Sequence, residues 1–121
     1  MKDFRQLRVW DKAHRLTLAI YPATAKFPAE ERYGLTAQLR RCSASIGANI
    51  AEGCGRSGDG NFQRFLDVAM GSANELDYHL LLARDLKYLE ATAYEQLNRQ
   101  SFEVKRMLST LIRKVSTDRR G

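Results

Sequence analysis

Apolar residues recur along this chain at alternating steps of four and three. The first series is Val9, Ala13, Leu16, Ile20, Ala23 and Phe27; the second is Leu35, Leu39, Cys42, Ile46 and Ile50. The third is Phe62, Leu66, Ala69, Ala73, Leu76, Leu80 and Ala83, and the last is Leu97, Ser101, Val104, Leu108, Leu111 and Val115. That spacing lays one apolar stripe on each of four helices, whereas the alternation and Asn-Gly turns of strands are missing. Short connections between such helices predict an all-α, up-down antiparallel four-helix bundle spanning residues 1–121 as a single domain.

Punctuation sets the expected boundaries. Phe27-Pro28 ends the first helix, because the residue before proline is pushed out of the α region, and Pro28 with Glu30 and Glu31 reads as a helix start. Gly53 to Gly60 reads as a glycine-rich loop, the third helix as running from about Asn61 to Tyr88, and Thr92 with Glu95 as a capping box. Pro22 lies inside the first stripe and predicts a kink; the tail after Thr117 reads as frayed.

The second helix departs from a solvated pattern. Beside its stripe runs a polar line of Gln38, Arg41, Ser45, Asn49 and Glu52, and the remainder is small: Ala37, Ala44, Gly47, Ala48 and Ala51. Only Arg40 resembles the long charged residue expected on a wet face. Small residues admit a second backbone, so Gln38, Ala44, Ser45, Ala48, Asn49, Ala51 and Glu52, with Gly71, Ser72 and Glu75 of the third helix, form the expected oligomer interface. A buried Glu52 would need a cation, supplied by Arg41 or Arg56.

Charge then changes the picture. The 121 residues carry 20 Lys and Arg against 14 Asp and Glu, with net +5, −4 and +5 over residues 1–58, 59–98 and 99–121. This layout suggests an electropositive face for nucleic acid. The candidate contacts are Arg40, Arg41, Arg56, Arg64, Lys105, Arg106, Arg113 and Lys114, the last four recurring at seven or eight positions along the final helix. Trp10 and Tyr88 read as packing residues, and no zinc finger, recognition helix or aromatic ladder is present.

Catalysis finds little support. Gly53-Cys54-Gly55-Arg56-Ser57-Gly58 matches G-x-G-x-x-G but follows a helix instead of a strand, leaving at most a phosphate held by backbone N–H groups. Asp11-x-x-His14 and Glu75-x-x-x-His79 miss the Glu-x-x-His pairs of di-iron bundles, so no metal or other cofactor is expected. Cys42 falls on an apolar stripe, where a thiol is inert; Cys54 falls in the loop, where it could be exposed. The reading is non-enzymatic. With no run of about 18 apolar residues and no signal peptide, a cytoplasmic location is expected.

Specific stretches carry a resemblance. Val9-Trp10, Phe27-Pro28, Tyr33-Gly34-Leu35-Thr36, Gln38-Leu39-Arg40-Arg41, Asn49-Ile50-Ala51-Glu52-Gly53 and Phe65-Leu66 resemble the bacterial four-helix-bundle family that includes proteins encoded by 23S rRNA intervening sequences. That family in turn is similar in fold to the accessory variability protein of diversity-generating retroelements, a basic pentamer that associates with a reverse transcriptase and nucleic acid. The resemblance implies a ring of five subunits. The expected partners are therefore further copies of the chain and RNA or DNA; a scaffold docking onto a reverse transcriptase is the alternative. Pro22 and Cys42 depart from the family pattern.

Overall fold

The computed structural model describes residues 2–120 and, within them, four α-helices, two 3₁₀ turns and no strand. The helices are α1 (Arg8–Thr24), α2 (Leu35–Gly55), α3 (Asp59–Asp85) and α4 (Ala91–Arg120); the 3₁₀ turns are Phe4–Gln6 and Ala29–Glu31. Each helix packs against two neighbours, α1 on α2 and α4, and α3 on α2 and α4, so the diagonal pairs stay apart. This is the arrangement of an antiparallel bundle.

The stripes form its centre. All five apolar positions of α2 and all seven of α3 are buried, as are Val9, Ala13, Leu16 and Ile20 of α1 and Leu97, Ser101, Val104, Leu108 and Val115 of α4. Ala23 and Leu111 are half-buried, at the edge of the core. Each fully enclosed Leu or Ile contributes about 1.5–3 kcal/mol relative to exposure, which ties stability to the same residues that set the helix faces.

Several boundaries differ from those the sequence predicts. α2 continues through Gly53 to Gly55, leaving Arg56–Gly58 as the connection, with Gly58 at φ 85°. Gly53 is helical because α3 crosses there: a Cβ on it would lie 3.0 Å from Phe65 Cβ and 3.1 Å from Phe62 Cδ1. Tertiary packing thus overrides glycine's low helix propensity. Cys54, on the same turn, is 1% exposed, which corrects its expected place in a loop.

Pro28 opens only a 3₁₀ turn, and α2 begins at Leu35. Glu31 reaches forward to accept the Leu35 backbone N–H at 2.9 Å, filling the role that the Gly34 N-cap lacks a side chain to play. Helix α3 starts at Asp59 and stops at Asp85, three residues short of Tyr88. It closes in a Schellman motif: Lys87 adopts φ 66°, its N–H bonds the Arg84 carbonyl, and the Tyr88 N–H bonds that of Ala83, both at 2.9 Å. Thr92 lies inside α4 instead of capping it, since the helix opens at Ala91. The expected frayed tail is helical to Arg120, with Arg119 Nη1 donating to Gln63 Oε1 at 2.8 Å; Gly121, like Met1, lies outside the described residues. α1 runs unbroken through Pro22 and ends two residues later, so the proline sits in its last turn.

Candidate nucleic-acid interface

Alternating helix direction brings the start of α1, the end of α2, the start of α3 and the end of α4 to one end of the bundle. Two contacts join them: Lys2 N–H donates to the Cys54 carbonyl at 3.1 Å, and Arg119 bonds Gln63. Arg5, Arg8, Arg56, Arg64, Arg113, Lys114, Arg119 and Arg120 are exposed at this end. Cations from the basic first and last segments of the sequence therefore meet in space.

A shallow groove of about 270 Å³ runs between the start of α1 and α4. Leu7, Val9, Met107 and Leu111 contribute its apolar part, and Arg8, Arg106 and Lys114 its cations. Arg106 and Lys114 belong to the predicted stripe; Arg8 was not among the predicted contacts. Its signal was its position at the start of α1, which only the bundle topology places opposite the end of α4.

The eight predicted contacts separate into groups. Arg41, Arg64 and Arg106 are exposed and form no salt bridge among the described residues. Arg64 lies over the Phe65 ring at 4.7 Å. Arg113 donates to Ser109 Oγ at 3.1 Å, and Lys114 sits 3.6 Å from Asp118, both leaving the charge in water. Arg56 pairs with Glu52 at 2.8 Å, as anticipated for that carboxylate, yet Glu52 is about half exposed and not buried. Lys105 is drawn inward to Asp77 at 2.6 Å, while Asp77 also accepts from Ser101. Arg40 points to the other end, held by Thr24 and the Tyr21 carbonyl.

The small face of α2 also divides. Gly47 is covered within the chain, a Cβ there lying 3.4 Å from Trp10 Nε1. Trp10 itself stacks on His14 at 4.9 Å and 8°, and meets Phe4 edge-on at 4.9 Å; Tyr88 packs against Phe27. Ser45 and Ser72 share a hydrogen bond of 2.8 Å, and Asn49 Nδ2 donates to the Ser45 carbonyl at 2.8 Å and to its Oγ at 3.0 Å. This part of the polar line joins α2 to α3 in one chain. Gln38 and Ala51 are half-buried, whereas Ala44, Ala48, Gly71 and Glu75 remain exposed, with Val68 and Tyr78 further along the outer side of α3.

The Gly-rich segment is not a phosphate cradle of successive loop amides, because Gly53 and Gly55 are helical. Burial raises the Cys54 thiol above its ordinary range, so neither its access nor its acidity suits a nucleophile. Cys42 and Glu75-x-x-x-His79 are distant in sequence; the fold brings their side chains together, with Cys42 Sγ 3.7 Å from His79 Nδ1.

The family model of the 23S rRNA-intervening sequence proteins matches residues 5–110. The chain belongs to this family. Among solved structures, the chain is similar to a protein of unknown function from the S23 ribosomal protein family of Bacteroides thetaiotaomicron VPI-5482. The two share 29% identity with a TM-score of 0.78, over 86% of this chain and 97% of the other. No curated protein matches the chain. The family description names no enzymatic activity, and among the described residues no helix is long and apolar enough to cross a membrane.

Proposed function

We propose that the chain is a non-enzymatic, homo-oligomeric bundle that binds RNA or DNA without sequence specificity. The observation that carries this reading is the gathering of cations from α1, α3 and α4 at one end, three of which, Arg8, Arg106 and Lys114, rim a groove between α1 and α4. Arg5, Arg56 and Lys114 each pair with a carboxylate, while Arg8, Arg64, Arg106 and Arg113 form no salt bridge among the described residues; exposed groups of this kind suit phosphate contact, where affinity comes from counterion release. The extended helix surface offers no base-reading element, so discrimination between sequences is not expected.

Self-association is supported by the exposed Ala44, Ala48 and Gly71, flanked by Val68 and Tyr78. A neighbouring helix can approach such a face closely. A ring, five subunits by the resemblance, repeats the basic end around an axis and adds weak phosphate contacts through multivalency.

The test is fluorescence anisotropy with generic single- and double-stranded RNA and DNA at increasing salt. Binding that weakens linearly in log–log form supports the reading; absence of binding at low ionic strength overturns it.

A further inference from the structure

We propose that Cys42, Glu75 and His79 form a binding site for a borderline divalent transition ion, Zn²⁺ by chemistry, with three protein ligands and a fourth position left to water. Glu75 and His79 are four apart on α3, so they project from one face of that helix, and Cys42 meets them from α2. The ligand atoms of all three lie within 4.8 Å of one another.

The dimensions match a coordination shell. A tetrahedral ion with Zn–S of about 2.3 Å and Zn–N of about 2.0–2.1 Å holds sulfur and nitrogen about 3.6 Å apart. Cys42 Sγ and His79 Nδ1 stand 3.7 Å apart, so this edge of the tetrahedron needs almost no rearrangement. Glu75 is exposed, forms no salt bridge among the described residues and already interacts with the Cys42 thiol, so its carboxylate is at hand for the ion. Access is built in: Cys42 is buried, His79 half-buried and Glu75 exposed, a path from solvent to sulfur.

The donor set selects the ion. One thiolate, one imidazole and one carboxylate suit Zn²⁺ and its neighbours, whereas Mg²⁺ and Ca²⁺ require mostly oxygen ligands. Two anionic ligands on a divalent ion leave a neutral cluster, which suits a position enclosed on its sulfur side and open at Glu75. In binding, the Cys42 thiol gives its proton to solvent as the S–metal bond forms, and no redox change occurs.

The experiment titrates metal-free full-length protein anaerobically with Co²⁺, followed by Zn²⁺ competition. The expected result is a near-ultraviolet thiolate-to-cobalt charge-transfer band with the visible bands of a tetrahedral ion, both bleached by Zn²⁺. Cys42→Ala abolishes the charge-transfer band, and His79→Gln and Glu75→Gln each weaken binding by more than ~10-fold. Circular dichroism reports whether each variant keeps its helices; should Cys42→Ala unfold, the two α3 variants decide the matter. Absence of the band in the parent protein, its survival in Cys42→Ala, or unchanged affinity in both α3 variants would overturn the site.

Discussion

Arg40 Nε donates to the Thr24 hydroxyl at 2.9 Å, although 16 residues separate them along the chain. A second donor of the same guanidinium reaches the Tyr21 carbonyl at 3.3 Å, and the group lies 4.5 Å from the centre of the Tyr21 ring. The Tyr21 carbonyl already accepts the Ala25 N–H and the Thr24 hydroxyl within α1, both at 3.1 Å, and Arg40 adds a donor to this last turn from a second helix, α2. Its role is to tie two helices together, which separates it from the other cations proposed to meet phosphate.

Arg40→Ala is therefore expected to lower stability by about 1–2 kcal/mol and to leave nucleic-acid affinity nearly unchanged. Urea unfolding and anisotropy on the same preparation check both halves. A large loss of binding in a stable Arg40→Ala protein would return this residue to the interface.

Arg106→Glu combined with Lys114→Glu should do the opposite. Both groups rim the groove beside α1, so helix content should persist while affinity falls. Removing two phosphate contacts reduces the slope of log K against log salt by about 1.4–1.8, measured by repeating the salt series.

The oligomer is tested at Ala48, exposed on the outer side of α2. Ala48→Arg should reduce the mass seen by light scattering to that of the single chain, with the helical circular dichroism retained. An unchanged mass would place the contact elsewhere.

Glu31 holds a junction of three elements. One carboxylate oxygen accepts the Leu35 N–H at 2.9 Å, and the other the Tyr88 hydroxyl at 3.2 Å. A Cβ at Gly34 would stand 2.6 Å from the first of these oxygens. Gly34→Ala should displace the carboxylate and cost about 0.5–2 kcal/mol, the range for losing a helix cap, read from the urea midpoint.

Cys54 gives a pH prediction. Burial raises its thiol in the folded chain above the ordinary value of 9.0. A raised folded pKa means the native state holds its proton longer than the unfolded chain, so this contribution is complete below pH 9 and declines as pH rises past it. Stability should fall on the alkaline side, and thiol reagents should label Cys54 at neutral pH only as fast as the protein opens. Rapid labelling of the native state would contradict the burial.

The apolar stripes were legible because a four-three repeat has one reading: a helix with one dry face. Leu35, Leu39, Cys42, Ile46 and Ile50 are all buried as expected. Gly53 was misread since glycine weakens helices locally, and nothing local announces that Phe62 and Phe65 will close over it. The candidate site was legible as composition only. The stripe on α4 is periodic, but Lys105 finds Asp77 at a separation of 28 residues and Arg40 finds Thr24 at 16. A still longer separation, 37 residues, hides Cys42 from His79. Pairings of this kind follow from topology, which sequence spacing does not encode.

The antiparallel order of the four helices has a practical corollary for anyone labelling the protein. Helix α1 begins and α4 ends at the cationic pole, so a purification tag or fluorophore attached there would crowd the surface proposed to meet phosphate, and a polyhistidine sequence would compete with the proposed metal site. The turn after α3, around Leu86 to Glu90, lies at the opposite pole and is the better anchor for a reporter.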